Sequence, residues 1–70
     1  MMEVLSDMSG SVAAVRVAVG DVVAEDDDLL VLESMKMEIP VGAPVDGTVA
    51  AVHVAVGDRV DEGDLLVTLS

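Results

Sequence analysis

Residues 10–27 read GSVAAVRVAVGDVVAEDD, and residues 47–64 read GTVAAVHVAVGDRVDEGD. The two stretches agree at 13 of 18 positions with a constant offset of 37. Each runs on into a leucine-rich segment, Leu29-Leu30-Val31-Leu32 in the first copy and Leu65-Leu66-Val67 in the second. Two copies of one unit in 70 residues predict a pseudo-twofold domain, because a solenoid needs three or more repeats. Within each copy Val15, Val17 and Val19 alternate with Arg16 and Ala18, as Val52, Val54 and Val56 do with His53 and Ala55. That period of two predicts strands with valines on a buried face and Arg16 or His53 on the solvent face. Gly20-Asp21 and Gly57-Asp58 then supply turn chemistry.

Extending the same logic outward predicts strands near 3–6, 11–18, 22–23, 29–34, 37–42, 48–55, 59–60 and 65–69. No segment carries a helical stripe. The class is all-β: a sandwich or flattened barrel in which two small sheets share one valine-rich core. The acidic turn of the first copy, Glu25-Asp26-Asp27-Asp28, reads one residue longer than Glu62-Gly63-Asp64 and lacks its glycine. A positive-φ position there has to use Asp, so the first turn is expected to be the looser one.

Length and composition bound the function. Seventy residues make a single domain, residues 1–70, since domains run to roughly 100–200 residues. Sixteen valines and eight alanines, with no Phe, Tyr or Trp, predict a thin core of small side chains. The absence of cysteine removes disulfides and thiolate chemistry. Fourteen acidic side chains against three Lys and Arg give a net charge of −11. Such a surface repels phosphate backbones and anionic lipid, and without aromatics it offers bases nothing to stack on. No nucleic-acid or membrane partner is expected. The opening MMEVLSDMS has no basic flank or long apolar stretch, so a cytoplasmic domain is the expectation, and the high negative charge favours a monomer in isolation.

Between the repeats lies ESMKMEIPVGAPVD, residues 33–46, which contains Lys36, the only lysine of the chain. If a twofold axis relates the repeats, the chain midpoint and the joined termini occupy equivalent, opposite ends, with Lys36 alone at one tip. Met35-Lys36 falls where a two-residue hairpin turn is predicted, yet the Gly, Asn or Asp that such turns favour is missing. A broken local rule at a tip is where function is expected to override propensity. The flanking methionines, flexible and polarizable, suit a surface that a partner grips. They are also spaced as two residues of one buried strand face, and that alternative stays open.

With its following APVDGTV, the stretch VLESMKMEI resembles the biotin-attachment domain of biotin-dependent carboxylases. The likeness runs over nearly the whole chain, including both GD turns. It implies a flattened eight-stranded barrel-sandwich hybrid of two four-stranded sheets with quasi-twofold symmetry. It further implies that Lys36 is the lysine biotinylated by biotin protein ligase, its amine attacking biotinyl-adenylate to form an amide. Met35 and Met37 match the flanking recognition residues, and Glu33 and Glu38 the motif flanks. The implied function is that of a non-catalytic biotin carboxyl carrier. Tethered biotin would shuttle carboxylate between biotin carboxylase and carboxyltransferase sites, the cofactor supplying the reactivity. Val17 to Val23 equals Val54 to Val60 in length, leaving no room for the thumb that some biotinyl domains insert. The chain is therefore most similar to small, stand-alone, thumbless biotin/lipoyl attachment proteins.

Other readings compete. A lipoyl carrier, with lipoate on Lys36, shares the barrel and the tip lysine, but lipoyl motifs favour Asp before the lysine and typically lack methionine on both sides. An unmodified structural or adaptor barrel leaves Lys36 an ordinary solvated lysine. His53 reads as a solvated surface residue because its repeat-mate is Arg16. Asp26-Asp27-Asp28 lacks the spaced ligands of a calcium loop and reads as a solvated turn.

Overall fold

A computed structural model describes all residues, Met1–Ser70. Eight strands follow in order: β1 Met2–Leu5, β2 Gly10–Val15, β3 Val22–Val23, β4 Asp28–Ser34, β5 Met37–Gly42, β6 Gly47–Val52, β7 Arg59–Val60 and β8 Leu65–Leu69. They form two four-stranded antiparallel sheets of order β1-β8-β6-β3 and β5-β4-β2-β7. No strand pairing closes these sheets into a barrel, so the architecture is a flattened sandwich with the barrel's topology. One core lies between them, built from Val4, Val12, Val23, Leu29, Leu30, Leu32, Ala43, Val49, Val60, Leu66, Val67 and Leu69.

The offset of 37 persists in the pairing. In β1 and β8, Met2 faces Leu69, Val4 faces Val67 and Leu5 faces Leu65. In β5 and β4, Ile39 faces Leu32, Val41 faces Leu30 and Gly42 faces Asp28, each residue displaced by 37 from its counterpart. The pseudo-twofold thus extends well beyond the 18 matched positions. It carries the β4–β5 hairpin tip into the gap between the paired termini, the exchange of ends that the repeat predicts.

The leucine runs are legible only with the bulges. Leu29 and Leu66 are the extra residues where register shifts in the β4–β5 and β8–β1 pairings. A bulge sets two residues against one and interrupts strict alternation, which lets consecutive Leu29 and Leu30 both be fully buried.

Three expectations are corrected. Strands β2 and β6 stop at Val15 and Val52, three residues short of the predicted ends. After one further hydrogen bond each, Arg16 N to Leu29 O and His53 N to Leu66 O, the chain crosses to the other sheet. There Gly20 N reaches Val49 O, and Gly57 N reaches Val12 O. Val19 and Val56 consequently sit inside turns and are 65% and 64% exposed, not buried; Val15, Val17, Val52 and Val54 do pack on the core. Nor is the first acidic turn longer: Asp28 is the opening residue of β4, as Leu65 is of β8.

Four turns share one construction. Asp21, Asp27, Asp58 and Asp64 each accept a hydrogen bond from the backbone N–H three residues earlier, at 2.8–2.9 Å. The residue before each aspartate has positive φ: Gly20, Gly57 and Gly63 at 92–97°, and Asp26 at 74°. The Asp26 turn makes every bond of its mate and one more, from Glu25 N–H to Asp46 Oδ1 at 2.7 Å, so it is not looser; its cost is conformational. Asp26→Gly is therefore expected to raise the melting temperature by about 2–4 °C, as relief of left-handed strain outweighs unfolded-state entropy by about 0.5 kcal/mol. Thermal unfolding followed by circular dichroism checks this, and a lower melting temperature would contradict it.

Candidate functional site

Lys36 occupies the second position of the two-residue turn joining β4 and β5, which pair right up to Ser34 and Met37. Met35 and Lys36 have φ of 54° and 64°. Consecutive positive values are what a type I′ turn requires, and its twist matches the flanking strands. Neither residue is Gly, Asn or Asp, so the turn holds two side chains in a region costing roughly 1–2 kcal/mol each. Six paired positions of β4 and β5 impose that geometry. The tip is a strained corner on a rigid hairpin, which gives the amine a defined base and a free stem.

Met35 is 92% and Met37 63% exposed, which settles their alternative placement in the core against that reading. Lys36 is exposed as well. A solvent-facing methionine on each side of the lysine leaves an apolar rim around the amine that nothing in the domain covers. Glu33 and Glu38 face each other across the hairpin one pair behind Ser34 and Met37, and both are exposed. The geometry thus brings Glu33, Met35, Lys36, Met37 and Glu38 into one projecting unit.

Two features near this unit are absent from the sequence reading. Gly10, at the start of β2, approaches β4 so closely that a Cβ there would lie 2.5 Å from the Glu33 carbonyl oxygen. Ser11 and Arg59 continue the row of Glu38 and Glu33 across the sheet. The sequence held a signal for Arg59, since it mismatches Val22 within the repeat, but adjacency to Glu33 depends on sheet order.

Elsewhere the surface offers little chemistry. His53 is exposed, with its Nε2 2.9 Å from Thr68 Oγ1. No group of three or more His, Asp or Glu side chains is arranged to hold a metal ion. A groove of about 330 Å³ runs between edge strands β1 and β5, lined by twofold mates such as Met2 with Ile39 and Val4 with Val41. An amide-linked cofactor needs no enclosing cavity, only an accessible primary amine on a firm support, and Lys36 meets both conditions.

Comparison with known proteins agrees with this geometry. The pattern of the biotin/lipoyl family, described as "Biotin-requiring enzyme", matches residues 2–69. The chain is similar in structure to Kluyveromyces lactis urea carboxylase, with a TM-score of 0.93 and 33% identity, covering 99% of this chain and 6% of that one. It is also similar to a single-chain, multi-domain long-chain acyl-CoA carboxylase, with a TM-score of 0.88 and 30% identity, covering 94% of this chain and 6% of that one. The chain thus spans a small fraction of those enzymes. No curated protein sequence matches it.

Proposed function

The chain belongs to the biotin/lipoyl attachment family, and from that premise we propose that it is a biotin carboxyl carrier modified on Lys36. The observation that carries the reading is the tip itself: the sole lysine, held in a strained type I′ turn between two solvent-exposed methionines. A turn built only for stability has no reason to exclude Asn and Gly or to expose Met35 and Met37.

In this reading biotin protein ligase grips the methionine rim and accepts a proton from the Lys36 ammonium. Nζ then forms an amide with the biotin acyl carbon as AMP leaves. Lys36 loses its charge, and the net goes from −11 to −12. The bound biotin supplies the ureido nitrogen that takes up and releases carboxylate. The chain's own part is presentation. The β4–β5 hairpin fixes the Lys36 backbone, while the side chain and its extension sweep a local volume at high effective concentration. Partner biotin carboxylase and carboxyltransferase sites would perform the chemistry, with the domain itself non-catalytic and cytoplasmic. Edge strands β1 and β5 carry Glu3 and Pro40 at twofold-equivalent positions, and both discourage edge-to-edge pairing, supporting a monomer.

Incubation with a biotin protein ligase, biotin and ATP is expected to add the mass of one biotin less water, whereas a lipoate ligase with lipoate and ATP adds nothing. The opposite pattern assigns the tip to lipoate, and no gain from either ligase on folded protein supports the adaptor barrel. Met35→Asn separates turn stability from recognition. Asn tolerates positive φ, so the melting temperature is expected to rise by about 2–6 °C while kcat/KM for loading falls. Unchanged loading in that variant contradicts a role for Met35.

A further inference from the structure

Across the second sheet Glu38 faces Glu33, Glu33 faces Ser11, and Ser11 faces Arg59. Directly opposed residues share a face, so these four form one transverse row beside the Lys36 turn. Glu38, Glu33 and Arg59 are exposed and Ser11 is half-buried. The row is negative at the hairpin and positive at the far edge.

The pseudo-twofold shows which of these side chains the fold requires. Displacement by 37 converts the row into Met1, Ser70, Thr48 and Val22 at the terminal end. The equivalent neighbours are kept there: Val22 faces Thr48, and Thr48 and Ser70 exchange backbone hydrogen bonds at 2.8 and 3.3 Å. That row contains no charged side chain, and Val22 is 83% exposed. An unburied valine satisfies the sheet edge, so packing does not demand arginine at residue 59. Two strand spacings, about 10 Å, separate the Arg59 backbone from the strand bearing Glu33, with Ser11 between them. This pattern of charged side chains is found only at the end that carries Lys36.

We propose that this row is a docking face for the biotin protein ligase, with Arg59 setting the orientation of the encounter. The proposal rests on the reading of Lys36 as the ligase's substrate. A ligase surface with basic groups opposite Glu33 and Glu38 and a carboxylate opposite Arg59 matches the row in one orientation. Turned end for end, it places like charges together. A net charge of −11 draws in any cationic partner but does not orient it; a row with opposite signs at its ends does.

Three variants of the full chain test this. Arg59→Val and Val22→Glu each change the net charge from −11 to −12, at opposite ends of the domain. The double variant Arg59→Val with Val22→Arg moves the arginine and keeps the net charge. Initial loading rates at low salt are expected to show kcat/KM reduced roughly three- to tenfold in Arg59→Val, through KM with kcat unchanged. The double variant should behave like Arg59→Val, and Val22→Glu like the unsubstituted protein, with all three melting normally. Normal loading of Arg59→Val and the double variant overturns the proposal. So does equal slowing by Val22→Glu, which would mean that total charge is what the ligase senses. Failure of the unsubstituted protein to load overturns instead the reading of Lys36 on which the proposal rests.

Discussion

Lys36→Arg is expected to abolish biotin loading while leaving the melting temperature unchanged within about 1 °C. Loading requires a primary amine that can lose a proton, and a guanidinium stays protonated in proteins, so the variant has no nucleophile at the tip. Lys36 is the only lysine, which leaves no second side-chain amine to substitute for it. The fold should not register the change. The residue is exposed, and arginine pays about the same conformational cost as lysine at a φ of 64°. Intact mass after ligase treatment reads the first half and thermal unfolding the second. A mass gain in the arginine variant would place the modified amine elsewhere and sink the assignment.

The second large effect lies at Gly10. A Cβ there would stand 2.5 Å from the Glu33 carbonyl oxygen and 3.4 Å from Ser34 Cβ. The obstacle is backbone of a central strand, hydrogen-bonded on both sides by β5 and β2, and it cannot swing away. Gly10→Ala must separate β2 from β4 where β4 enters the Lys36 hairpin. The expected cost is about 1–3 kcal/mol, or about 5–20 °C in melting temperature for a domain of this size. Gly47→Ala is the twofold control. Its Cβ would meet the Ser70 carbonyl oxygen at 3.0 Å, a wider approach than at Gly10 and to a residue just past β8 instead of inside a central strand. A clearly smaller loss is expected there. With no aromatic residue in the chain, far-ultraviolet dichroism or calorimetry must follow the melt. Equal losses at both glycines contradict the argument that central-strand rigidity sets the cost.

Much of the site was readable because repeats and turns are local chemistry. The offset between Gly10 and Gly47 predicted the twofold, the twofold placed the chain midpoint at a tip, and Met35-Lys36 was expected to form a two-residue turn without the Asn-Gly it favours. Both residues do take positive φ there. Likewise an Asp was expected at any positive-φ position of the first acidic turn, and Asp26, the mate of Gly63, takes it. The errors lay where alternation was trusted too far. Val19 and Val56 continue the valine pattern perfectly, yet they fall in turns because the chain crosses between sheets after Val15 and Val52. Hydrophobic period reports which face a residue prefers and carries no information on where hydrogen-bond partners run out.

By itself the sequence determined the all-β class, the twofold, the four aspartate turns and the isolation of Lys36. Each of these follows from residue type and spacing along the chain. Only the tertiary structure decided that Leu29 and Leu66 sit at bulges, that Gly10 presses on the Glu33 carbonyl, and that Glu38, Glu33, Ser11 and Arg59 align. The first depends on register, the second on how closely two backbones approach, and the third on strand order. All three are set by pairing between segments far apart in the chain, 48 residues for Ser11 and Arg59 and 63 for Val4 and Val67, where spacing along the chain no longer fixes distance in space.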